Sequence, residues 1–105
     1  MPERSVTFGE YIASTRKSKS MSQKDLAINL EISPQYLNDI EHDKRTPSAP
    51  QLIDKLASIL DLKPEYLYYL AGRMPEEVKN KKLDEKSFTQ AWHAFRRETE
   101  GKKLK

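Results

Sequence analysis

Hydrogen-bonding side chains are concentrated between residues 33 and 45, and their chemistry is that of binding. Four of them follow one another at close, helix-compatible spacing: Ser33, Gln35, Asn38 and Asp39. Lys44 and Arg45 follow with two positive charges. Amides and carboxylates can bond to the edges of bases, and cations to phosphates. The segment therefore has the side chains of a surface for a polar, anionic ligand.

The sequence offers no comparable set of catalytic or metal-binding residues. Its carboxylates are scattered, no serine lies in a nucleophile motif, and three glycines do not form a phosphate-binding loop. With no cysteine and only His42 and His93, a zinc site is not expected. We interpret His42 as a surface residue near a helix end. We expect neither an enzyme nor a bound cofactor or metal.

Composition limits the class of protein further. A chain of 105 residues with 36% apolar and 33% charged residues fits one domain with a modest core and a polar appendage. No apolar run approaches the roughly 20 residues that cross a bilayer, and no signal peptide is evident. We therefore expect a protein of the bacterial cytosol or nucleoid with no membrane contact. Ten Lys/Arg and six Asp/Glu place the basic excess in residues 73–105.

Helix signals recur at short intervals before that basic region. Four predicted starts combine a capping residue with a favourable residue inside the helix: Thr7 with Glu10, Ser22 with Asp25, Ser33 with Pro34, and Ser48 with Gln51. Lys63-Pro64-Glu65 is predicted to begin the fifth helix. The first helix is predicted over 8–18, and Gly72 is expected to end the fifth. Apolar residues recur at helical spacing, and those predicted for the core are Leu26, Leu30, Leu37, Ile40, and the stripe Leu52, Ile53, Leu56, Ala57, Ile59 and Leu60.

Residues 22–45 are predicted to form two short helices joined by a tight turn. Their crossing needs a small residue, and Ala27 is placed for it. The second helix begins at Ser33-Pro34 and exposes polar residues near its start, where base edges would be read. The pattern is typical of a DNA-binding helix-turn-helix.

The chain resembles the Cro/repressor-type, or xenobiotic-response-element-type, helix-turn-helix regulators over about residues 6–72. The matching positions are Gln23, Leu26, Ala27, Ile32-Ser33-Pro34-x-Tyr36-Leu37, Ile40-Glu41, Thr46-Pro47-Ser48 and Leu56-Ala57-x-x-Leu60. The resemblance implies an all-α fold: a five-helix repressor-like DNA-binding domain over 1–73 with a C-terminal helical extension. Glu31 departs from the family, which usually has glycine in this turn, so a positive φ is expected there.

The resemblance also implies roles for single residues. Gln23 would bond a phosphate, and Lys44 and Arg45 would hold the DNA backbone. Ser33, Pro34, Gln35, Asn38 and Asp39 would line the face of the third helix in the major groove. The carboxylate of Asp39 would need a partner there, either a cytosine N4 or a nearby cation. Arg16 and Glu41 would form a partly buried structural ion pair. Each polar residue of this set could instead be an ordinary solvated side chain.

Residues 74–105 lie outside the resemblance. They are predicted to hold a charged linker, an amphipathic helix over about 87–98 capped by Ser87 and Gln90, and a disordered basic tail. Phe88, Trp92 and Phe95 share one face of that helix. The face could pack on the core, join two copies or bind another protein, because large aromatic residues anchor interfaces.

Two functions follow as hypotheses. The first is a transcriptional regulator, a repressor by the family's usual mode, that binds double-stranded DNA at a palindromic operator as a homodimer. The second is an antitoxin-like or other regulator whose C-terminal helix holds a partner protein.

Overall fold

The computed structural model describes residues 6–47, 49–74, 79–81 and 83–103; for residues 101–103 it describes the backbone alone. Six helices lie wholly within these ranges, and none of the described residues is in a strand: α1 (Phe8–Ser18), α2 (Gln23–Leu30), α3 (Pro34–Glu41), α4 (Pro50–Leu60), α5 (Pro64–Ala71) and α6 (Glu85–Lys103). The predicted all-α fold class is confirmed.

Side-chain caps begin the first three helices where the sequence predicts them. Thr7 Oγ1 accepts a hydrogen bond from the Glu10 N–H at 3.0 Å, and the Glu10 carboxylate accepts from the Thr7 N–H at 3.1 Å. Ser22 and Ser33 each accept from the backbone N–H three residues on, at 3.0 Å. Each cap satisfies an N–H group that has no partner inside the helix. The bounds predicted for the first helix are confirmed.

One apolar core joins α1 to α5. Its buried members come from all five helices: Phe8, Ile12, Leu26, Ala27, Leu30, Leu37, Ile40, Ile53, Leu56, Ala57, Leu60, Leu67 and Tyr68. The small residue predicted for the helix crossing, Ala27, is fully buried. Of the tyrosines in α5, Tyr66 and Tyr69 are exposed, whereas Tyr68 donates to the Pro50 carbonyl at 3.2 Å. The core therefore packs against the inner face of α3 and leaves its outer face exposed to solvent.

Gly9 allows α1 to approach the end of α3 closely. A Cβ atom at this position would lie 2.4 Å from the Ile40 carbonyl oxygen and 2.5 Å from that of Glu41. Asp43, in the turn after α3, accepts hydrogen bonds from the Gly9 N–H at 2.9 Å and from the Thr7 hydroxyl at 2.5 Å. Asp43 is thus a second cap on α1. This contact is not evident from the sequence because Gly9 and Asp43 lie 34 positions apart.

Three of the helices end at a residue with a left-handed backbone conformation. Glu31, between α2 and α3, has φ 62°, as expected for the position where the family usually has glycine. Asp61 ends α4 with φ 59°, and Gly72 ends α5 with φ 70°. Glu31 is the one residue of the three that lies inside the helix-turn-helix, and the turn keeps its geometry despite the side chain.

The start of α4 differs from the prediction. The helix begins at Pro50, and Ala49 is its N-cap without a side-chain hydrogen bond. The predicted cap, Ser48, lies outside the described residues. Proline is favourable at the first helical position because its fixed φ suits the helix and its missing N–H would have had no partner.

The start of α6 also differs, because Asp84 and not Ser87 caps it. The Asp84 carbonyl accepts from the Phe88 N–H at 2.9 Å, and its carboxylate accepts from the Ser87 N–H at 2.8 Å. The hydrogen bonds that Asp84 receives from the backbone and then the side chain of Ser87 lower the pKa of the Asp84 carboxyl.

The helix is longer than predicted at its other end. The prediction of disorder for 98–105 is wrong for residues 98–103, which continue α6. Glutamate and lysine are strong helix formers, so a charged sequence is compatible with a helix here. The final residues, 104 and 105, lie outside the described ranges. Among the helices described, none has both the length and the apolar composition to span a membrane.

Candidate nucleic-acid interface

The start of α3 presents a polar edge to solvent. The side chains of Ser33, Pro34 and Gln35 are exposed, and those of Asn38 and Asp39 are partly exposed one turn further along. Leu37 and Ile40 occupy the opposite face and are fully buried. The helix therefore separates an apolar face in the core from an outer face that can donate and accept hydrogen bonds.

Gln35 is the partner of the Asp39 carboxylate. The Nε2 atom of Gln35 donates to Asp39 Oδ1 at 3.0 Å, one helical turn away. From the sequence, we expect a nearby cation or a cytosine N4 in that role, and in the structure a neutral amide fills it. Because one N–H of Gln35 is bound to Asp39, its second N–H and its Oε1 remain on the outer face, an arrangement that matches the N7 and N6 groups of adenine.

Lys44 and Arg45 extend this face beyond the end of α3. Their backbone N–H groups donate to the Asp39 carbonyl at 2.8 and 3.3 Å, which holds the turn against the helix. The Arg45 guanidinium lies 4.9 Å from the centre of the Tyr36 ring, a cation–π contact. Both charged side chains are exposed. The structure therefore brings two cations next to the polar edge of α3.

A buried ion pair fixes the other end of α3. Arg16 Nε donates to Glu41 Oε2 at 2.7 Å, and a second guanidinium nitrogen donates to Glu41 Oε1 at 3.1 Å. The third nitrogen donates to the Met21 carbonyl at 2.9 Å. Arg16 and Glu41 are only 8% and 7% exposed. Arg16 therefore joins α1 to α3 and to the turn that precedes α2.

Gln23 adds α2 to this ion pair. Its Nε2 atom donates to Glu41 Oε1 at 2.9 Å and to Asn38 Oδ1 at 3.2 Å. Both side-chain N–H groups are therefore used inside the protein. The contact is not evident from the sequence because it joins residues of two helices. Its one local signal is that Asn38 and Glu41 lie three residues apart and share a face of α3.

His42 and the metal-binding residue types form no site in the described chain. His42 is exposed, and its Nδ1 lies 2.9 Å from the Asn38 carbonyl oxygen. No cluster of three or more histidine, cysteine or acidic side chains able to hold a metal occurs among the residues that the structure describes.

The aromatic stripe of α6, formed by Phe88, Trp92 and Phe95, is about half exposed. The rings of Trp92 and Phe95 stack with centroids 5.7 Å apart. The extensive helix contacts that the structure describes are all among α1 to α5, and α6 is not part of them. Of the three interpretations of the stripe, packing on the core therefore has no support from this arrangement.

The fold and this interface define the class of protein. The chain belongs to the helix-turn-helix domain family, whose model, described as "Helix-turn-helix domain", matches residues 9–73. This match covers more than half of the chain and confirms the resemblance inferred from the sequence. A comparison with curated proteins finds no match.

Solved structures give more particular likenesses. SinR, a master regulator for biofilm formation, in complex with DNA is 30% identical with a TM-score of 0.53, over 58% of this chain and 97% of that chain. The restriction-modification controller protein C.AhdI from Aeromonas hydrophila is 33% identical with a TM-score of 0.52, over 57% and 89%. This chain therefore has the fold of bacterial helix-turn-helix DNA-binding transcriptional regulators.

A third likeness extends over α6. A complex of the SinR and SinI proteins matches 93% of this chain and 96% of that chain, with 23% identity and a TM-score of 0.53. At this identity the likeness is one of fold alone.

Proposed function

We propose that the protein is a sequence-specific transcriptional regulator that binds double-stranded DNA through the outer face of α3. The observation that carries the proposal is the polar edge of α3 on a helix that the buried Arg16–Glu41 pair holds in place. A helix fits the major groove, where amide side chains can distinguish base pairs. Gln35, Asn38 and Asp39 would meet base edges. SinR, which shares this fold, was solved in complex with DNA.

Phosphate contacts would flank the bases. At the start of α2 the side-chain N–H groups of Gln23 already have acceptors, so we assign the phosphate contact to the backbone N–H groups of that helical turn. Lys44 and Arg45, in the turn after α3, would contact a second phosphate. No described carboxylate pairs with either side chain. Ser33 and Pro34 would lie at the point where α3 enters the groove.

We propose further that two copies bind a palindromic operator and repress transcription. Two α3 helices would then enter successive major grooves about 34 Å apart. The aromatic stripe of α6 is the surface that would join the copies, because its three large rings lie outside the core of the single chain. Such a repressor would work in the bacterial cytosol or nucleoid, as a binding protein and not as an enzyme.

Sedimentation equilibrium of the full chain, with DNA from its own promoter or with random DNA, tests the proposal. We expect a dimer that binds its promoter more tightly than random DNA at the same salt concentration. Trp92→Ala should shift the protein towards monomer and weaken promoter binding. Gln90→Ala, on the opposite side of α6, is the matched control and should change neither. Equal affinity of the wild type for both DNAs would overturn sequence-specific binding.

The second candidate function is that of a regulator that binds a partner protein through α6. The exposed rings of Phe88, Trp92 and Phe95 favour it as much as they favour a dimer. The same experiment separates the two functions, since a wild type that remains monomeric at high concentration excludes the dimer. A partner recovered in equal stoichiometry with Gln90→Ala but lost with Trp92→Ala would then establish the second function.

A further inference from the structure

Gln23 holds one end of the Asn38 amide, and Asn38 lies on the face of α3 that would meet DNA. We propose that Gln23 is a positioning residue that directs the Nδ2 donors of Asn38 outward, so that this position of the operator excludes cytosine. The inference rests on the proposed function and names the base selectivity of the same site.

Glu41 fixes the orientation of the Gln23 amide. Its carboxylate only accepts hydrogen bonds, and both of its oxygens face the Arg16 guanidinium. The Gln23 side chain meets Glu41 Oε1 at 2.9 Å, so the end of the amide that lies there must be the NH2 group. The buried ion pair therefore decides which way the Gln23 amide is turned.

Gln23 in turn fixes the orientation of the Asn38 amide. The remaining N–H of Gln23 points at the Asn38 side chain, 3.2 Å away, and only an acceptor can satisfy it. Asn38 must therefore turn its Oδ1 inward, which leaves Nδ2 on the outside. No described residue accepts a hydrogen bond from Asn38 Nδ2, and the side chain is partly exposed. The outer end of Asn38 thus carries two hydrogen-bond donors and no acceptor.

The bases present different hydrogen-bonding groups in the major groove. An asparagine free to present both ends bonds adenine through N6 and N7. An outward NH2 group alone can bond the acceptors of guanine, of adenine N7 or of thymine O4. Cytosine presents an N4 amino group, a donor, and leaves the Asn38 donors without a partner. The position read by Asn38 should therefore favour guanine, with two acceptors, and reject cytosine.

Selection of duplexes from a random pool by the full-length protein tests the inference. The wild type should select a site with one position in each half-site where cytosine is depleted about tenfold, within the range of a single base contact. Asn38→Asp keeps the inner acceptor for Gln23 and replaces the outer donors by an acceptor. It should reverse the preference at that position alone, towards cytosine or adenine.

Gln23→Met removes both donors at similar side-chain length and should flatten the preference at the same position, because the Asn38 amide can then turn. Gln35→Met, the same substitution on the DNA face, is the matched control and should alter a different position. Thermal unfolding by circular dichroism identifies any variant that does not fold, and Asn38→Asp, which leaves the buried pair untouched, still decides the result.

Three outcomes are informative. Reversal by Asn38→Asp at one position supports the inference. If cytosine remains depleted at that position in both variants, or if affinity is lost equally on all sequences, the inference is overturned while the proposed function stands. A wild type that enriches no sequence overturns the proposed function and the inference together.

Discussion

Asp43 accepts a hydrogen bond from the backbone N–H of Gly9 and so ties the turn after α3 to the first turn of α1. The contact requires the two helices to approach closely, and the missing side chain of Gly9 allows this. The carboxylate also lies at a helix N-terminus, where negative charge is favourable. The position of α3 therefore depends on a residue that carries no side chain.

Replacing Gly9 with alanine should destabilise the protein by about 1–3 kcal/mol or more, because the new Cβ would overlap backbone carbonyl oxygens. At an ordinary helical position the same change would stabilise by up to about 1 kcal/mol, so the sign of the effect is diagnostic. Urea unfolding measures it. Gly72→Ala is the matched control, with no atom within 4 Å of the new Cβ and only its left-handed backbone to strain.

The buried ion pair predicts a large difference between single and double substitutions. Glu41→Ala should lower the free energy of unfolding by about 3–5 kcal/mol, because it leaves the Arg16 guanidinium buried without its partner. The double variant Arg16→Met/Glu41→Leu should lose less. Lys55→Ala, which removes the exposed pair with Glu31 at 3.4 Å, should cost under about 0.5 kcal/mol. Additive losses at the buried pair would contradict the coupling.

Glu31→Gly should stabilise the protein by up to about 1 kcal/mol. The left-handed backbone at φ 62° is unfavourable for glutamate and not for glycine, although glycine loses more entropy on folding. Glu31→Ala keeps the strain and removes the side chain, so it separates the two effects. A comparison of urea midpoints at constant m-value measures the change, and a lower midpoint for the glycine variant would contradict the argument.

The lowered pKa of the Asp84 carboxyl predicts that the cap of α6 weakens and its first turn frays at low pH. In the folded state the ionised carboxylate accepts hydrogen bonds from Ser87. The resulting stabilisation is fully present above pH 3.8, the usual pKa of this group, and it disappears as the pH falls through the lower pKa of the folded state. The Phe88 amide resonance, followed by NMR during acid titration, reports the change. Asp84→Asn keeps a capping residue that does not titrate and should remove this step.

Phosphate contacts by Lys44 and Arg45 predict a change in salt dependence. Replacing either residue with alanine should reduce the slope of log K against log salt by about one and weaken binding to all sequences alike. Titrations of promoter and random DNA at several salt concentrations measure the slope. Lys63→Ala, at the start of α5, is a control of equal charge. A change in base preference without a change in slope would argue for base contacts instead.

Local chemistry explains what the sequence could predict of the fold. Thr7, Ser22 and Ser33 cap helices because their side chains reach an N–H only a few residues away. The apolar stripe of α4 is likewise visible in its spacing. The helix α6 extends further than predicted because Glu98, Glu100, Lys102 and Lys103 are strong helix formers, and a high density of charge alone does not distinguish a helix from a disordered segment.

Contacts between distant segments explain what was missed. The hydrogen bonds from Gln23 to Glu41 and from Gly9 to Asp43 join residues 18 and 34 positions apart. Such contacts produce no periodic pattern in the sequence, because they form only when the helices pack together. Of the candidate interface, the residue types and their helix could be predicted, whereas the direction in which each amide points could not.

Glu41 receives hydrogen bonds from α1 and α2 while it belongs to α3. A helix anchored in this way is already folded before it binds DNA. The conformational entropy lost on association is then confined to a few exposed side chains, in contrast to recognition segments that fold on their target. Calorimetry of the complex should accordingly show a heat-capacity change set by the buried contact area alone.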